Sequence, residues 1–231
     1  MEIDRKAFRS LSSGLYIISS IDTDGRLCGC VVNTLLQVAS DPAQLLVSIN
    51  KQNATAGAVS TSKRFCASVL SQDTTMDLIG TFGFKSSKDI DKFSEFDHGI
   101  CESGLPRLTH DTLATFEVSV DSTIDVGTHL VFIGTVKSAE VVGEGTPITY
   151  DYYHRVLRGK TPAKAASYND GDDPAKDKIV EVEETASSEQ KVAWRCKMCG
   201  YTVEGYPDGL PEDWRCPLCG MGRDYFEKVL I

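Results

Sequence analysis

The most constraining feature of this chain is a pair of C-x-x-C-G units near its C-terminus. In WRCKMCGYTVEGYPDGLPEDWRCPLCG, 16 residues separate the first cysteine pair from the second. The four cysteines are Cys196, Cys199, Cys216 and Cys219. Each C-x-x-C turn directs two sulfurs toward one point, so two facing turns complete a tetrahedral site for zinc or iron. Gly200 and Gly220, which follow the pairs, allow a positive φ that turns backbone amides toward the sulfurs. The motif therefore predicts a four-cysteine metal site, and its spacing leaves zinc and iron open.

The other four of the eight cysteines are scattered through the first 101 residues. They are Cys28, Cys30, Cys66 and Cys101. They lack the spacing of a metal site and lie mostly in β-like runs, which favours buried structural thiols. The N-terminal residues lack an apolar segment followed by a cleavage site, and no apolar run is long enough to span a bilayer. We therefore expect a cytoplasmic protein that has free thiols and no membrane partner.

The charge is unevenly distributed along the chain. The sequence has 33 acidic and 24 basic residues, a formal net charge of −9, which argues against a nucleic-acid partner. Residues 169–190 carry 8 acidic and 2 basic residues and no aromatic residue, so they cannot bury much apolar surface. This composition predicts an acidic linker at 169–190 between domains at 1–168 and 191–231. A solvated surface loop within one domain is the alternative.

The segment before the linker reads mainly as β-strands. Runs rich in Val, Ile, Phe and Thr predict the strands, and Asp24-Gly25 predicts a hairpin turn. These runs are GLYIISSI, RLCGCVVNTLLQV, AQLLVSIN, RFCASVL, LATFEVSV and LVFIGTVKSAEVV. Asn53 and Thr74/Thr75 are candidate N-caps of short helices. The pattern predicts an antiparallel β-barrel with minor helices.

Two polar clusters follow apolar runs, VVNTLLQV at 31–38 and SINKQNAT at 48–55. Amides, hydroxyls and local cations suit the pyrimidine edge and the phosphate of flavin mononucleotide (FMN). The available cations are Lys51, Lys85, Lys88 and Lys92. On pattern alone, polar strand ends and a solvated lysine-rich loop explain these residues equally well.

Four motifs in order resemble the flavin reductase-like, FMN-binding split-barrel family over nearly all of residues 1–168. They are GCVVNTLLQVASDPAQLLVSINKQNATAGAV, FGFKSSKDIDKF, GTHLVFIGTV and YYHRVLRGKTPAKAASY. The resemblance implies a split barrel that binds FMN, uses NADH or NADPH and forms a homodimer through the barrel.

The same resemblance implies roles for individual residues. The residues implied along the isoalloxazine are Val31, Val32, Asn33, Thr34 and Gln37. Those implied at the ribityl chain and phosphate are Ser48, Asn50, Lys51, Asn53 and Thr55. Phe84 and Lys88 lie in a loop that the family folds toward the cofactor. His129 is implied as a catalytic residue near the ring and the nicotinamide, with a satisfied histidine at a strand end as the alternative. Thr128 stands where the family often has an acid.

The C-terminal segment resembles a rubredoxin over residues 191–231. Four aromatic residues accompany its cysteines, namely Trp194, Tyr201, Trp214 and Phe226. The resemblance implies one iron that cycles between the ferric and ferrous states, with a zinc ribbon as the alternative. The stretch between the cysteine pairs is shorter than in a free-standing rubredoxin.

Together the two resemblances imply an electron-transfer oxidoreductase. Nicotinamide cofactors give up two electrons as a hydride, whereas an iron–tetrathiolate centre accepts one, and a flavin handles both kinds of transfer. Known fusions of these two domains imply an acceptor, a flavodiiron protein that reduces nitric oxide or dioxygen. The alternatives are a flavin reductase that supplies a monooxygenase, and an FMN-binding barrel with a structural zinc ribbon.

Overall fold

The computed structural model describes residues 3–162, 165–167 and 192–230. The predicted linker at 169–190 lies outside the described residues. Nine strands lie in the part of the barrel domain that the structure describes. In chain order they are β1 (Tyr16–Ile21), β2 (Leu27–Val32), β3 (Leu35–Ser40), β4 (Ala43–Asn50), β5 (Arg64–Leu70), β6 (His98–Ile100), β7 (Pro106–Leu108), β8 (Thr112–Asp125) and β9 (His129–Val141). The predicted antiparallel β-barrel is confirmed.

Seven of these strands form one antiparallel sheet in the order β2-β1-β5-β8-β9-β4-β3. β2 and β3 follow each other in sequence but lie at opposite edges, so the chain crosses from one edge to the other at residues 33–34. The run from Arg26 to Val38, predicted as one strand, is therefore two strands. The Thr34 hydroxyl donates to the Ser48 carbonyl (3.0 Å), and the Ser48 amide donates to the Thr34 carbonyl (3.2 Å), which fixes the start of β3 on β4. We call this crossing the seam.

The barrel interior is filled by large apolar side chains from several strands. Ile18, Val47, Phe65 and Phe132 belong to this cluster and have no exposed surface. Adjacent Ile17 is equally buried but faces a second apolar cluster outside the barrel, as expected from the alternation of side chains along a strand. β1 is therefore covered on both faces.

Within the described ranges, three α-helices accompany the sheet, α1 (Ala54–Ser62), α2 (Met76–Phe84) and α3 (Tyr150–Arg155). Asn53 caps α1 by accepting from the Thr55 amide, and Thr75 caps α2 by accepting from the Leu78 amide, as predicted. Phe82 packs so closely on β2 that a Cβ at Gly29 would lie 2.7 Å from its ring. No α-helix among the described residues has the length and apolar character needed to cross a bilayer.

The C-terminal domain is a three-stranded antiparallel sheet in the order β11-β10-β12. Its strands are β10 (Val192–Cys196), β11 (Thr202–Glu204) and β12 (Phe226–Leu230). The Trp194 indole donates to the Tyr206 carbonyl (2.7 Å), and the Trp214 ring meets the Phe226 ring edge-on at 6.1 Å. The predicted aromatic residues therefore pack around the cysteine-bearing turns.

Candidate functional site

The four C-terminal cysteines converge on one point. Their Sγ atoms all lie within 4.8 Å of one another, with Cys196–Cys219 at 3.6 Å and Cys199–Cys216 at 3.4 Å. Metal–sulfur bonds of about 2.3 Å correspond to a sulfur tetrahedron with edges of about 3.8 Å. The cluster therefore fits a single tetrahedral metal ion. Among the described residues, it is the one group of His, Cys, Asp or Glu side chains with such a geometry.

The turns around the cysteines direct hydrogen-bond donors at the sulfurs. Gly200 and Gly220 adopt φ values of +83° and +73°, as their place after each cysteine pair predicted. Hydrogen bonds from neighbouring thiols, and then from the amides of Cys199 and Met198, lower the pKa of Cys196. The Tyr201 and Met221 amides donate to the sulfurs of Cys199 and Cys219. Such donors stabilise thiolates, the form in which cysteine binds a metal.

The cysteine cluster packs against α2 of the barrel domain. Leu218, between the two cysteines of the second pair, covers Gly80, where a Cβ would lie 2.8 Å from Leu218 Cδ2 and 3.0 Å from its Cβ. Met76 and Phe84, at the two ends of α2, pack on the same cluster. Because Gly80 has no side chain, Leu218 reaches the helix backbone.

A second contact joins the domains beside the first cysteine pair. The Lys160 ammonium donates to the Lys197 carbonyl (2.6 Å), and a Cβ at Gly200 would lie 2.6 Å from the Arg158 carbonyl oxygen. Both cysteine-bearing turns therefore face the barrel domain. Cys219 remains half-buried, while the other three ligand cysteines are fully buried.

The seam carries the first group of residues predicted to bind FMN. Val32 is buried in the barrel core, whereas Val31 is half-buried and faces α2, 3.8 Å from where a Cβ at Gly83 would lie. The Asn33 side-chain Nδ2 donates to the Ser167 hydroxyl (2.9 Å), and Thr34 is hydrogen-bonded to Ser48 as described above. Gln37 is exposed on β3 and donates to the Ala39 carbonyl (3.2 Å).

The residues predicted at the ribityl chain and phosphate lie next to His129 where β4 ends. Asn50 stands directly opposite His129 in the β4–β9 pairing, and the Lys51 amide donates to the Thr128 carbonyl (3.1 Å). His129 is 8% exposed, and its Nδ1 lies 2.8 Å from the Thr128 hydroxyl. The Lys51 ammonium pairs with the Asp125 carboxylate at 2.5 Å. Two separate sequence motifs are thus brought to one end of the sheet.

Of the remaining candidates, Asn53 adjoins that group, since its backbone amide donates to the Asn50 carbonyl (2.9 Å), and the others lie on α1, on α2 and in the loop after α2. Thr55 is completely buried in the first turn of α1, directly after its cap, Asn53. Phe84 lies at the end of α2 on the cysteine cluster. Lys88 is exposed at the mouth of a cavity of about 400 Å³ that α1 and the β1–β2 turn also line.

Two of the loop lysines are engaged within the protein. Lys92 is 1% exposed and donates to the carbonyl oxygens of Gly29 (2.8 Å) and Phe82 (3.1 Å). The Lys85 ammonium lies 3.7 Å from the Glu95 carboxylate. Lys92 therefore connects β2 to α2, so it is not available to a phosphate at the surface.

Sequence reasoning missed Gly80 and Leu218, which form the contact between the domains. A signal was present, because MDLIGTFGF has two glycines inside a nine-residue helix. A helical glycine costs about 1 kcal/mol relative to alanine and usually marks a close approach. It was also missed that the Ser167 hydroxyl connects Asn33 to the Tyr150 phenol (2.8 Å).

Two family models match the chain. Residues 8–160 match the flavin reductase like domain, and residues 194–227 match the model described as rubrerythrin, rubredoxin-like domain. A solved structure of nitrilotriacetate monooxygenase component B from Mycobacterium thermoresistibile has a TM-score of 0.56 at 24% identity. That alignment covers 63% of this chain and 79% of the other and supports the barrel fold.

Two relatives extend these matches. The chain is 43% identical to a high molecular weight rubredoxin of Moorella thermoacetica, over 98% of this chain and 100% of the other. It is 40% identical to a ferric-chelate reductase (NAD(P)H) of Archaeoglobus fulgidus, over 72% of this chain and 98% of the other. The first alignment spans the barrel and the four-cysteine domain. The chain therefore belongs to the flavin reductase-like family of oxidoreductases, with a rubredoxin-like domain C-terminal to its barrel.

Proposed function

We propose that this protein transfers electrons from NADH or NADPH, by way of FMN bound at the seam, to an iron held by Cys196, Cys199, Cys216 and Cys219. The position of α2 is the observation that carries this proposal. One side of α2 packs on β2, which ends in the candidates Val31 and Val32 and leads into the seam, and the other side packs on the cysteine cluster. A single helix therefore lies between the two sites. When bound, FMN supplies the conversion of a two-electron donor into single electrons, and the iron carries them one at a time.

The chain's own residues have distinct tasks in this proposal. Asn33, Thr34 and Ser48 offer amide and hydroxyl groups to the flavin, and Lys51 offers a cation to its phosphate. His129, opposite Asn50, lies at the end of the sheet where the nicotinamide would approach. Phe84 packs against the cysteine cluster while belonging to the loop implied at the cofactor. It is therefore the side chain that we place between the two redox groups.

The proposal includes an external acceptor and an oligomeric state. The alignment along its full length with a high molecular weight rubredoxin supports an acceptor outside the chain, for which we propose a flavodiiron protein. We also propose a homodimer formed through the barrel. Exposed apolar side chains on β3 and at the β8–β9 turn support it, because exposed apolar patches mark interaction surfaces. These are Leu36, Val38, Ile124 and Val126.

Anaerobic stopped-flow spectroscopy with NADH or NADPH tests the electron-transfer proposal. The flavin absorbance should bleach before the ferric colour fades. Gly80→Ala should slow the fading several-fold, because the new Cβ would press on Leu218, and should leave flavin bleaching unchanged. Gly57→Ala is the matched control, since Gly57 is also helical and a Cβ there would have nothing within 4 Å.

Three results would contradict this proposal. If neither nucleotide reduces the flavin or the iron, or if protein produced with iron available contains only zinc, electron transfer through the cluster is wrong. If Gly80→Ala leaves iron reduction at the wild-type rate, the packing on α2 is not the arrangement through which electrons pass.

A further inference from the structure

Two thiols lie side by side inside the barrel domain, away from both proposed redox sites. The Sγ atoms of Cys66 and Cys101 are 3.7 Å apart, although 35 residues separate them in sequence. Cys66 is completely buried and Cys101 is 7% exposed. We propose that Cys66 and Cys101 are a dithiol pair that low-molecular-weight disulfides oxidise reversibly to an intramolecular disulfide.

The other two cysteines of the barrel provide a contrast. Cys28 and Cys30 are two residues apart on β2 and therefore face the same side of the strand. At about 3.3 Å per residue, the Cβ atoms of such positions are about 6.6 Å apart along the strand, whereas a disulfide needs Cβ atoms about 3.5–4.5 Å apart. Cys66 and Cys101 come from different elements, and their sulfurs are already in contact.

The hairpin that carries Cys101 is anchored on the sheet. Cys101 follows β6 and starts a tight turn, in which its carbonyl accepts from the Gly104 amide (2.8 Å). At the tip, the Ser103 carbonyl accepts from the Arg64 guanidinium (2.6 Å) and the Ser103 amide donates to the Glu117 carboxylate (3.0 Å). Arg64 belongs to β5, the strand of Cys66. The thiol contact therefore joins two elements that other bonds already hold together.

Apolar side chains surround the pair. Cys66 and Cys101 form a small apolar cluster with Leu105, which is 1% exposed, and with Ile21 at its edge. The Cys66 sulfur is in contact with the Cys101 sulfur. When a reagent forms a mixed disulfide on Cys101, Cys66 is therefore placed to attack it.

The reaction is an exchange in two steps. The Cys101 thiolate attacks one sulfur of the small disulfide, forms a mixed disulfide and releases one small thiol. Cys66 then loses its proton, attacks the Cys101 sulfur and releases the second small thiol. The two protein sulfurs give up two electrons, which the small disulfide gains. The order follows from the greater exposure of Cys101, which is 7% exposed whereas Cys66 has no exposed surface.

The cross-link would connect β5 to the β6–β7 hairpin across the segment that contains α2. The helix against which the cysteine cluster packs would then lie within a covalently closed loop. Oxidation at Cys66 and Cys101 would thereby restrain the part of the barrel domain that contacts the C-terminal domain, without altering any proposed metal ligand.

The test uses the full chain loaded with iron and FMN, incubated with oxidised glutathione. Free thiols are then alkylated, and peptides are mapped by mass spectrometry without reduction. We expect a peptide pair linked through Cys66 and Cys101, the loss of two alkylatable thiols per chain, and the return of both after dithiothreitol. Cys28→Ala should form the same cross-link, and Cys101→Ser should form none.

Several outcomes would overturn the proposal. They are a wild-type protein that keeps both thiols, one that retains glutathione on Cys101 without forming the cross-link, and one that links either cysteine to another partner. If Cys101→Ser does not fold, Cys101→Ala replaces it, and the wild-type peptide map decides by itself.

Discussion

The two domains have different kinds of core, one of apolar side chains and one centred on cysteines. In the barrel domain, side chains such as Phe65, Phe82 and Phe132, each at most 1% exposed, come from strands and helices far apart in sequence. In the C-terminal domain, four of the six buried core residues described lie within the two C-x-x-C units, and three of these four are the cysteines Cys196, Cys199 and Cys216. The barrel can bury enough apolar surface to fold by packing, whereas a unit of about 40 residues rarely can without a metal or a cross-link. The two halves should therefore respond to different perturbations.

The largest effect should come from removing one sulfur of the cluster. Cys199→Ser should reduce the iron content from about one atom per chain to background, because the site needs four thiolates. The FMN content and the flavin spectrum of the barrel should remain unchanged. Metal analysis and a visible spectrum check this result, with Cys28→Ala as a control that removes a buried thiol from the barrel. Retention of iron by Cys199→Ser would contradict the assignment of the site.

A cavity in the barrel core should destabilise the barrel domain and leave the iron site intact. Phe132→Ala should lower the free energy of unfolding of the barrel by about 3–5 kcal/mol, the usual cost of deleting a buried aromatic ring. Val141→Ala, on the same strand but 86% exposed, should change it by less than about 0.5 kcal/mol. Denaturant unfolding followed by flavin fluorescence measures both variants. Loss of iron from the folded Phe132→Ala variant would show that the metal site depends on the packing of the barrel core.

An intermediate effect should appear as a pH dependence, because burial lowers the pKa of Lys92 to about 8. Between pH 8 and the ordinary lysine pKa, the unfolded chain binds more protons than the folded one, so stability due to Lys92 rises with pH. From pH 7 to pH 10 the wild type should gain about 2 kcal/mol relative to Lys92→Met. Unfolding curves of both proteins at several pH values give this difference. If the stability difference between the wild type and Lys92→Met is constant with pH, or moves against the wild type as pH rises, the lowered pKa of Lys92 is wrong.

The smallest effect should concern FMN affinity. Lys51→Ala should weaken FMN binding by about tenfold, equal to about 1.4 kcal/mol, because a phosphate would lose one charged partner. Lys137→Ala, an exposed lysine on β9, should bind FMN as the wild type does. Fluorescence titration of the apoprotein with FMN measures both affinities. An unchanged affinity would remove Lys51 from the phosphate site, and neither substitution should alter the iron spectrum.

Features encoded by local sequence were predictable. Alternating apolar residues gave most strands, and Asn53 and Thr75 marked the starts of α1 and α2, because a cap depends only on its own turn. The C-x-x-C-G spacing predicted the convergence of four sulfurs, because each cysteine pair is positioned by its own short turn. The roles of the proposed flavin-binding residues and of His129 remain predictions.

Features that depend on distant contacts were not predictable. The break at Asn33 and Thr34 exists because β2 and β3 belong to opposite edges of the sheet, and the run of residues gives no sign of it. The β6–β7 hairpin was missed because its strands, HGI and PRL, have three residues each and contain glycine and proline. The contact of Leu218 with Gly80 spans 138 positions of the sequence and becomes visible only in three dimensions.

The contact between Gly80 and Leu218 also limits how the two domains can be recombined. A C-terminal domain transplanted from another protein would need a side chain of similar shape at the position of Leu218, and a new barrel would need a glycine where α2 meets it. Protein engineers who exchange either module should therefore transfer this pair together, and chimaeras that break it provide a series of proteins with graded coupling between the two halves.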